Sequence, residues 1–201
     1  MHKQKLQTLF FLVSFLKKPS QVGAMLPSTE QLAKMVISKA QLNNIKVIVE
    51  LGPGTGSFTE LIFKEMPKNA VYIGLDLNPD FIQQLQKKYT SGYFYCDSAE
   101  NILRYLSLHK IAHADCIISG LPWALIPVEK QNDIMKSVVS ALGESGHFST
   151  FTYIHSLVFF KNARHYLKRI QESFKNVEKS PIVWNNFPPA FTYWCFNPVR
   201  V

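Results

Sequence analysis

An α/β domain with a mostly parallel sheet is the fold that the sequence predicts, and three observations predict it. From residue 45 onward, apolar runs of strand length alternate with helix-length segments. Turn residues punctuate nearly every junction between them. The chain then closes on two strand-like runs around an Asn- and Pro-rich turn, so that five strand–helix units are followed by a two-strand ending. Alternation of this kind covers both faces of a single sheet with helices.

The elements follow in order. Residues 46–51 (KVIVEL) form a β-branched strand that runs into Gly52-Pro53-Gly54-Thr55-Gly56, and residues 58–65 form the helix behind it. Residues 71–75 (VYIGL) repeat the pattern and close on Asp76. Pro79 presets the first turn of a helix over 79–89, with Phe81, Ile82 and Leu85 at helical spacing. A short third strand covers 93–96, a helix 99–108, and a fourth strand 114–119, which ends at Gly120-Leu121-Pro122-Trp123. Residues 128–142 form a helix stopped by Gly143, and 147–153 (HFSTFTY) a fifth strand. One further helix is expected over 157–170, with Lys161, Arg164, His165 and Lys168 along one side, and strands over 177–184 and 191–196.

Composition bounds the function. A chain of 201 residues that is 47% hydrophobic has apolar material for one domain, and disorder is excluded. Its formal net charge of +8 calls for an anionic counterpart, whether nucleic acid, membrane or acidic small molecule. Cys96, Cys116 and Cys195 are odd in number and form no C-x-x-C pair, so neither a disulfide framework nor a metal site is expected. All three sit in apolar or aromatic runs and read as small core residues of a protein kept in a reducing, cytoplasmic compartment.

Residues 1–44 read as a lead-in to a domain over 45–201. Lys3 and Lys5 precede an apolar stretch over 9–16, but Lys17-Lys18-Pro19 follows with no cleavage site, and eight residues are too few to cross a bilayer. Neither export nor a membrane span is expected. As a helix, 3–16 aligns Leu6, Leu9, Phe10, Val13 and Leu16 on one stripe and leaves Phe11 and Phe15 on the other side. Either both faces pack on protein, or the helix lies in a membrane interface with Phe11 and Phe15 in lipid and Lys17 and Lys18 near headgroups.

The motif with the most chemical content is Glu50-Leu51-Gly52-Pro53-Gly54-Thr55-Gly56-Ser57 at a strand-to-helix turn, with Asp76 at the end of the next strand, 20 residues after Gly56. Asp97 follows the third strand. Ligands of open α/β sheets bind beyond the carboxyl ends of the strands, where glycines admit close approach and an acid takes ribose hydroxyls. The loop is G-x-G-x-G rather than the dinucleotide pattern G-x-G-x-x-G, and Glu50 would repel a diphosphate. A cationic ligand with an amino group and a sulfonium suits it better, and no P-loop is present.

E-L-G-P-G-T-G closely resembles motif I of the class I S-adenosylmethionine-dependent methyltransferases. The resemblance implies a Rossmann-like sheet with an antiparallel last strand, S-adenosylmethionine as cofactor and S-adenosylhomocysteine as product. It also implies that Glu50, Gly52, Gly54 and Gly56 face the methionine part, Asp76 the ribose, and Asp97 with Ser98 the adenine, with Ser119 among the cofactor contacts. Segments 15–19, 21–28, 119–122, 151–153 and 186–191 are similar to the soluble bacterial phospholipid N-methyltransferases, which covers nearly the whole chain. This second resemblance implies methylation of the phosphatidylethanolamine amine toward phosphatidylcholine, by an enzyme held at the inner face of an anionic membrane. Ile154-His155 stand where that family commonly has Gly and Pro, which puts the local turn and headgroup preference in question. Tyr153 and His155 are the candidates for the amine-facing wall.

Two other functions fit parts of the chain. Gly120-Leu121-Pro122-Trp123 is similar to the N-L-P-Y motif of ribosomal RNA adenine dimethylases, and Trp123 could stack on a base, but Gly120 has no side chain to accept a bond from the target amino group. A protein that binds S-adenosylmethionine without catalysis would carry the same cofactor motif.

Overall fold

The computed structural model describes residues 26–186 and 188–200. The expected helix over 3–16, with Phe11, Phe15, Lys17 and Lys18, and Phe187 of the late turn lie outside the described residues.

In chain order the elements are α1 (Leu26–Ile37), β1 (Val47–Leu51), α2 (Ser57–Glu65), β2 (Val71–Asp76), α3 (Pro79–Lys88), β3 (Tyr93–Cys96), α4 (Ile102–Leu108), β4 (Ala114–Ser119), α5 (Val128–Ala141), β5 (Leu142–Tyr153), α6 (Ile154–Phe159), α7 (Lys161–Ser173), β6 (Phe174–Lys179) and β7 (Ala190–Pro198). Seven strands form one sheet in the order β3-β2-β1-β4-β5-β7-β6. The first five are parallel, and β7 is antiparallel to both β5 and β6. This is the Rossmann-like arrangement expected, with its antiparallel ending.

The sheet separates two apolar layers because successive β residues point to opposite faces. Val49 and Leu51 of β1 pack with α4, α5 and α7, through Ile102, Met135, Val138, Tyr166 and Ile170. Ile48 of the same strand packs with α1, α2 and α3, through Val36, Ile62, Ile82 and Leu85. Asn78 caps α3, accepting from the backbone N–H of Asp80 at 2.9 Å, and Pro79 occupies the first helical position.

Four expectations are corrected. The helix expected over 157–170 is two helices, because Phe160 between them is extended, with φ −117° and ψ 120°. The strand expected over 177–184 is β6, starting at Phe174 directly after α7 and ending before Pro181, which has no N–H for a ladder. β5 begins at Leu142, with its register on β4 broken before His147. Cys116 and Cys195 are core residues, whereas Cys96 is exposed, since it ends the edge strand β3. Helix α1 went unread in the sequence, although Leu32, Ala33, Val36 and Ile37 repeat at helical spacing and all are buried. It is tied to β7 by the Trp194 indole N–H, which donates to the Val36 carbonyl at 3.3 Å.

Candidate active site

Strand register gathers the site. Leu51 of β1 pairs with Leu75 of β2 and with Ser119 of β4, Asp76 pairs with Cys96 of β3, and Ser119 pairs with Thr150 of β5. Five parallel strands therefore end side by side, and the order reverses between β1 and β4, where such sheets place a ligand. Ladder-like bonds continue past the strand ends, from Gly52 N–H to the Leu75 carbonyl and from Gly120 N–H to the Leu51 carbonyl, both at 2.8 Å.

The turn after β1 needs its glycines. Gly52, Gly54 and Gly56 have φ of 70°, 55° and 91°, a region costly for other residues. A Cβ on Gly54 would meet nothing within 4 Å, so that side of the turn is open space. Gly120 is required for another reason: a Cβ there would lie 2.6 Å from the Gly52 carbonyl oxygen.

The acids sit where the sequence placed them, and their partners are now visible. Asp76 Oδ2 accepts from Gly54 N–H at 2.9 Å and Oδ1 from Asn78 N–H at 2.8 Å, so one carboxylate holds both the glycine turn and the start of α3. Asp97 accepts from the Tyr105 hydroxyl at 2.7 Å, the Asn101 amide at 2.8 Å and Ser98 N–H at 2.7 Å, with Arg104 at 3.6 Å. These bonds, the Tyr105 one first, hold the Asp97 carboxyl below the usual carboxylate range, so it is ionised at neutral pH. Tyr105 and Asn101 were not legible as site residues, since only the fold of α4 over β3 brings them to Asp97.

Glu50 lies under the turn. With Ile48 it faces α2, fully buried, and its Oε2 accepts from the Tyr72 hydroxyl and from the Thr59 hydroxyl at 2.8 Å. Its Oε1 has no partner among the described residues, and no Lys or Arg pairs with it there. Burial, only partly offset by the two hydroxyls, pushes the carboxyl up to about 7. Alternation along β1 could have indicated this orientation in advance.

Beyond β4 and β5 opens a pocket of about 550 Å³, its open mouth included, whose walls include Leu121, Trp123, Phe151, Tyr153, Ser156 and Tyr166. None of its lining residues is charged. Ser119 is buried and accepts from the Trp123 indole N–H at 3.0 Å and from Leu121 N–H at 3.3 Å, so its hydroxyl shapes this turn. Trp123 stacks on Tyr166 with ring centres 4.1 Å apart. Of the two expected wall residues, Tyr153 lines the pocket, and His155 stacks on Tyr153 without being part of the lining. Burial pushes the Tyr153 phenol up to about 12 and the His155 imidazole down, so both are neutral near pH 7. Tyr166 and Ser156 went unpredicted, and Trp123 and Phe151 were noted only within motif resemblances and not as walls of one pocket, since the tertiary fold is what brings these elements together.

Comparison with known proteins agrees with this geometry. Residues 48–146 match a family described as a methyltransferase domain. An ornithine lipid N-methyltransferase of Singulisphaera acidiphila is 29% identical over 189 residues, which cover 92% of this chain and 93% of that protein. The chain carries a methyltransferase domain and the fold of the class I S-adenosylmethionine-dependent methyltransferases. Solved structures share its fold: the N-methyltransferase NodS of Bradyrhizobium japonicum with S-adenosylhomocysteine, at TM-score 0.64, 15% identity and coverage of 90% and 92% of the two chains, and the magnesium protoporphyrin IX methyltransferase of Synechocystis with S-adenosylmethionine, at TM-score 0.64, 12% identity and coverage of 91% and 84%.

The methyltransferase uses S-adenosylmethionine and releases S-adenosylhomocysteine, and its residues fit that group. Open space beside Gly54 leaves the turn approachable, and the orphan Oε1 of Glu50 leaves a buried acceptor without a cation. On this basis Gly52 to Gly56 would hold the methionine part, Asp76 the ribose and Asp97 with Ser98 the adenine.

Two outcomes are expected. Asp76→Ala should weaken S-adenosylhomocysteine binding by about 10- to 100-fold, the worth of one or two hydrogen bonds to a charged acceptor, as read by calorimetry. The second concerns pH. Because Glu50 is raised from 4.5 to about 7 on folding, its contribution to stability is full below about pH 4.5 and is lost as pH rises through 7. Urea unfolding at about pH 5 and about pH 8.5 should show about 3 kcal/mol of loss from this group, and Glu50→Gln should flatten the profile.

Proposed function

We propose that this methyltransferase methylates the primary amine of a membrane lipid at the inner membrane face, with phosphatidylethanolamine as substrate and phosphatidylcholine as the end of successive rounds. The observation that carries this reading is the near end-to-end match to an ornithine lipid N-methyltransferase. An ornithine lipid and phosphatidylethanolamine both offer a primary aliphatic amine, so the chemistry of the acceptor is common to the two.

The pocket supports it physically. An amine with a pKa near that of Lys is mostly protonated in water, and only its neutral form has a lone pair to give. In a pocket without a carboxylate, desolvation disfavours the ammonium and the neutral amine is the form held. Neutral Tyr153 offers a hydroxyl to orient it, and neutral His155 beside it adds no charge. The faces of Phe151 and Tyr153 can receive the methylated ammonium by cation–π attraction, and a further round follows once that ammonium has released its proton to solvent. When bound, S-adenosylmethionine supplies a methyl carbon already activated by its sulfonium, so alignment and exclusion of water are what the protein provides.

An RNA adenine acceptor is disfavoured by two observations. The Asn of N-L-P-Y has no room at Gly120, where even a Cβ meets the Gly52 carbonyl. Trp123 is 3% exposed, stacked on Tyr166 and bonded to Ser119, so it is not free to stack on a base.

Labelled S-adenosylmethionine, incubated with vesicles of phosphatidylethanolamine, with vesicles containing ornithine lipid and with ribosomal RNA, separates these cases. Label is expected in the phosphatidylethanolamine lipid. Label confined to ornithine lipid would move the headgroup, label in RNA alone would overturn the lipid acceptor, and cofactor binding with no label anywhere would indicate a catalytically inactive protein.

A further inference from the structure

The acceptor pocket has an unusual rim. Helix α6 supplies Ser156 to the lining, buried at 2% exposure, yet two and three residues later Val158 and Phe159 stand 67% and 65% exposed. Their position is fixed rather than frayed. Arg164 Nη1, from the first turn of α7, donates to the carbonyls of Leu157 at 2.8 Å and Val158 at 3.2 Å, closing the end of α6. At its other end, Ile154 N–H donates to the Pro189 carbonyl at 3.0 Å, which ties α6 to the turn between β6 and β7. That turn carries Trp184, 69% exposed. Three large apolar side chains thus project from two segments linked through Ile154 and Pro189, one of which lines the pocket through Ser156.

The chain segments that carry them hold one sign of charge. No Asp or Glu occurs from residue 145 to 171, a stretch that holds Lys161, Arg164, Lys168 and Arg169, and none occurs from 179 to the last described residue. Lys168 and Arg169 share Glu172 at 3.7 and 3.5 Å, while Lys161 and Arg164 have no carboxylate partner among the described residues. Apolar tips flanked along the chain by cations are what an anionic bilayer interface accommodates, with rings and aliphatic groups below the headgroups and Lys or Arg among the phosphates.

We infer that Val158, Phe159 and Trp184 form a membrane-docking surface that seats the mouth of the acceptor pocket on an anionic lipid bilayer. This deepens the lipid-amine reading and rests on it for its purpose: a headgroup reaches the pocket from the plane of the membrane without the lipid leaving it. The surface places the contact at the acceptor side of the sheet rather than at the ribose side.

The full chain, the double variant Val158→Ser/Phe159→Ser and the single variant Trp184→Ser are compared by co-sedimentation with phosphatidylglycerol-containing phosphatidylcholine vesicles at low salt. S-adenosylhomocysteine affinity, expected to be unchanged, reports that the variants are folded. The double variant should lose about fivefold or more of its vesicle partition, Trp184→Ser less, and added salt should weaken the full chain. Equal sedimentation of the full chain and both variants, or no sedimentation of the full chain, overturns the docking surface whichever acceptor is methylated. In parallel, labelled transfer to a short-chain, monomeric phosphatidylethanolamine should survive in the double variant while transfer to vesicle lipid falls. Should the variants detach while no lipid amine takes label from any form, the docking surface stands and the acceptor reading fails.

Discussion

Where β1 and β4 end, two backbones lie against each other. Gly120 donates to the Leu51 carbonyl at 2.8 Å, and any side chain on it would strike the Gly52 carbonyl. Everything on either side depends on this contact. It keeps the glycine turn flat against the β4 end, and so brings the cofactor-side acids at Asp76 and Asp97 and the acceptor-side pocket from Gly120 to Tyr166 to a single edge of the sheet. The same lack of space that lets the backbones touch leaves no room for the Asn side chain that N-L-P-Y carries at this position.

Charge divides this edge into two halves. On the β1–β3 side, three carboxylates face or underlie the glycine turn: Asp76 and Asp97 each hold nearby N–H and O–H donors, while Glu50 is buried with one oxygen unsatisfied. On the β4–β5 side the walls are aromatic and uncharged. On the proposed reading a cationic sulfonium compound lies on the first side and a neutral amine on the second, with the methyl group passing between them. The electrostatics of burial support this division: the same desolvation that raises Glu50 toward neutrality keeps Tyr153 and His155 uncharged.

Much of the fold was legible because parallel, doubly covered strands read as continuous apolar runs and because glycine, proline and asparagine mark their ends. β2, β3 and β4 were located from such runs, and with them the glycine turn and the strand-end positions of Asp76 and Asp97. What escaped was set by tertiary contact. The break at Phe160 leaves no turn residue in the sequence, so α6 and α7 read as one helix, and the exposed α6 tip was hidden inside it. Tyr166 was read only as part of a helix with a basic side, yet it stacks on Trp123 from a loop more than forty residues earlier. Glu50 was expected to face the ligand. In the structure it lies under α2, bonded to Thr59 and Tyr72, with Oε1 left without a partner among the described residues.

The claim on which the rest stands is that the turn after β1 and Asp76 together hold a sulfonium cofactor at the point where the strand order reverses. A crystal soaked with S-adenosylhomocysteine tests it most directly. Density is expected along Gly52 to Gly56 with the ribose hydroxyls on Asp76 and the sulfur toward the pocket walled by Phe151 and Tyr153. A ligand bound elsewhere, or a crevice that stays empty at saturating concentration, would contradict it.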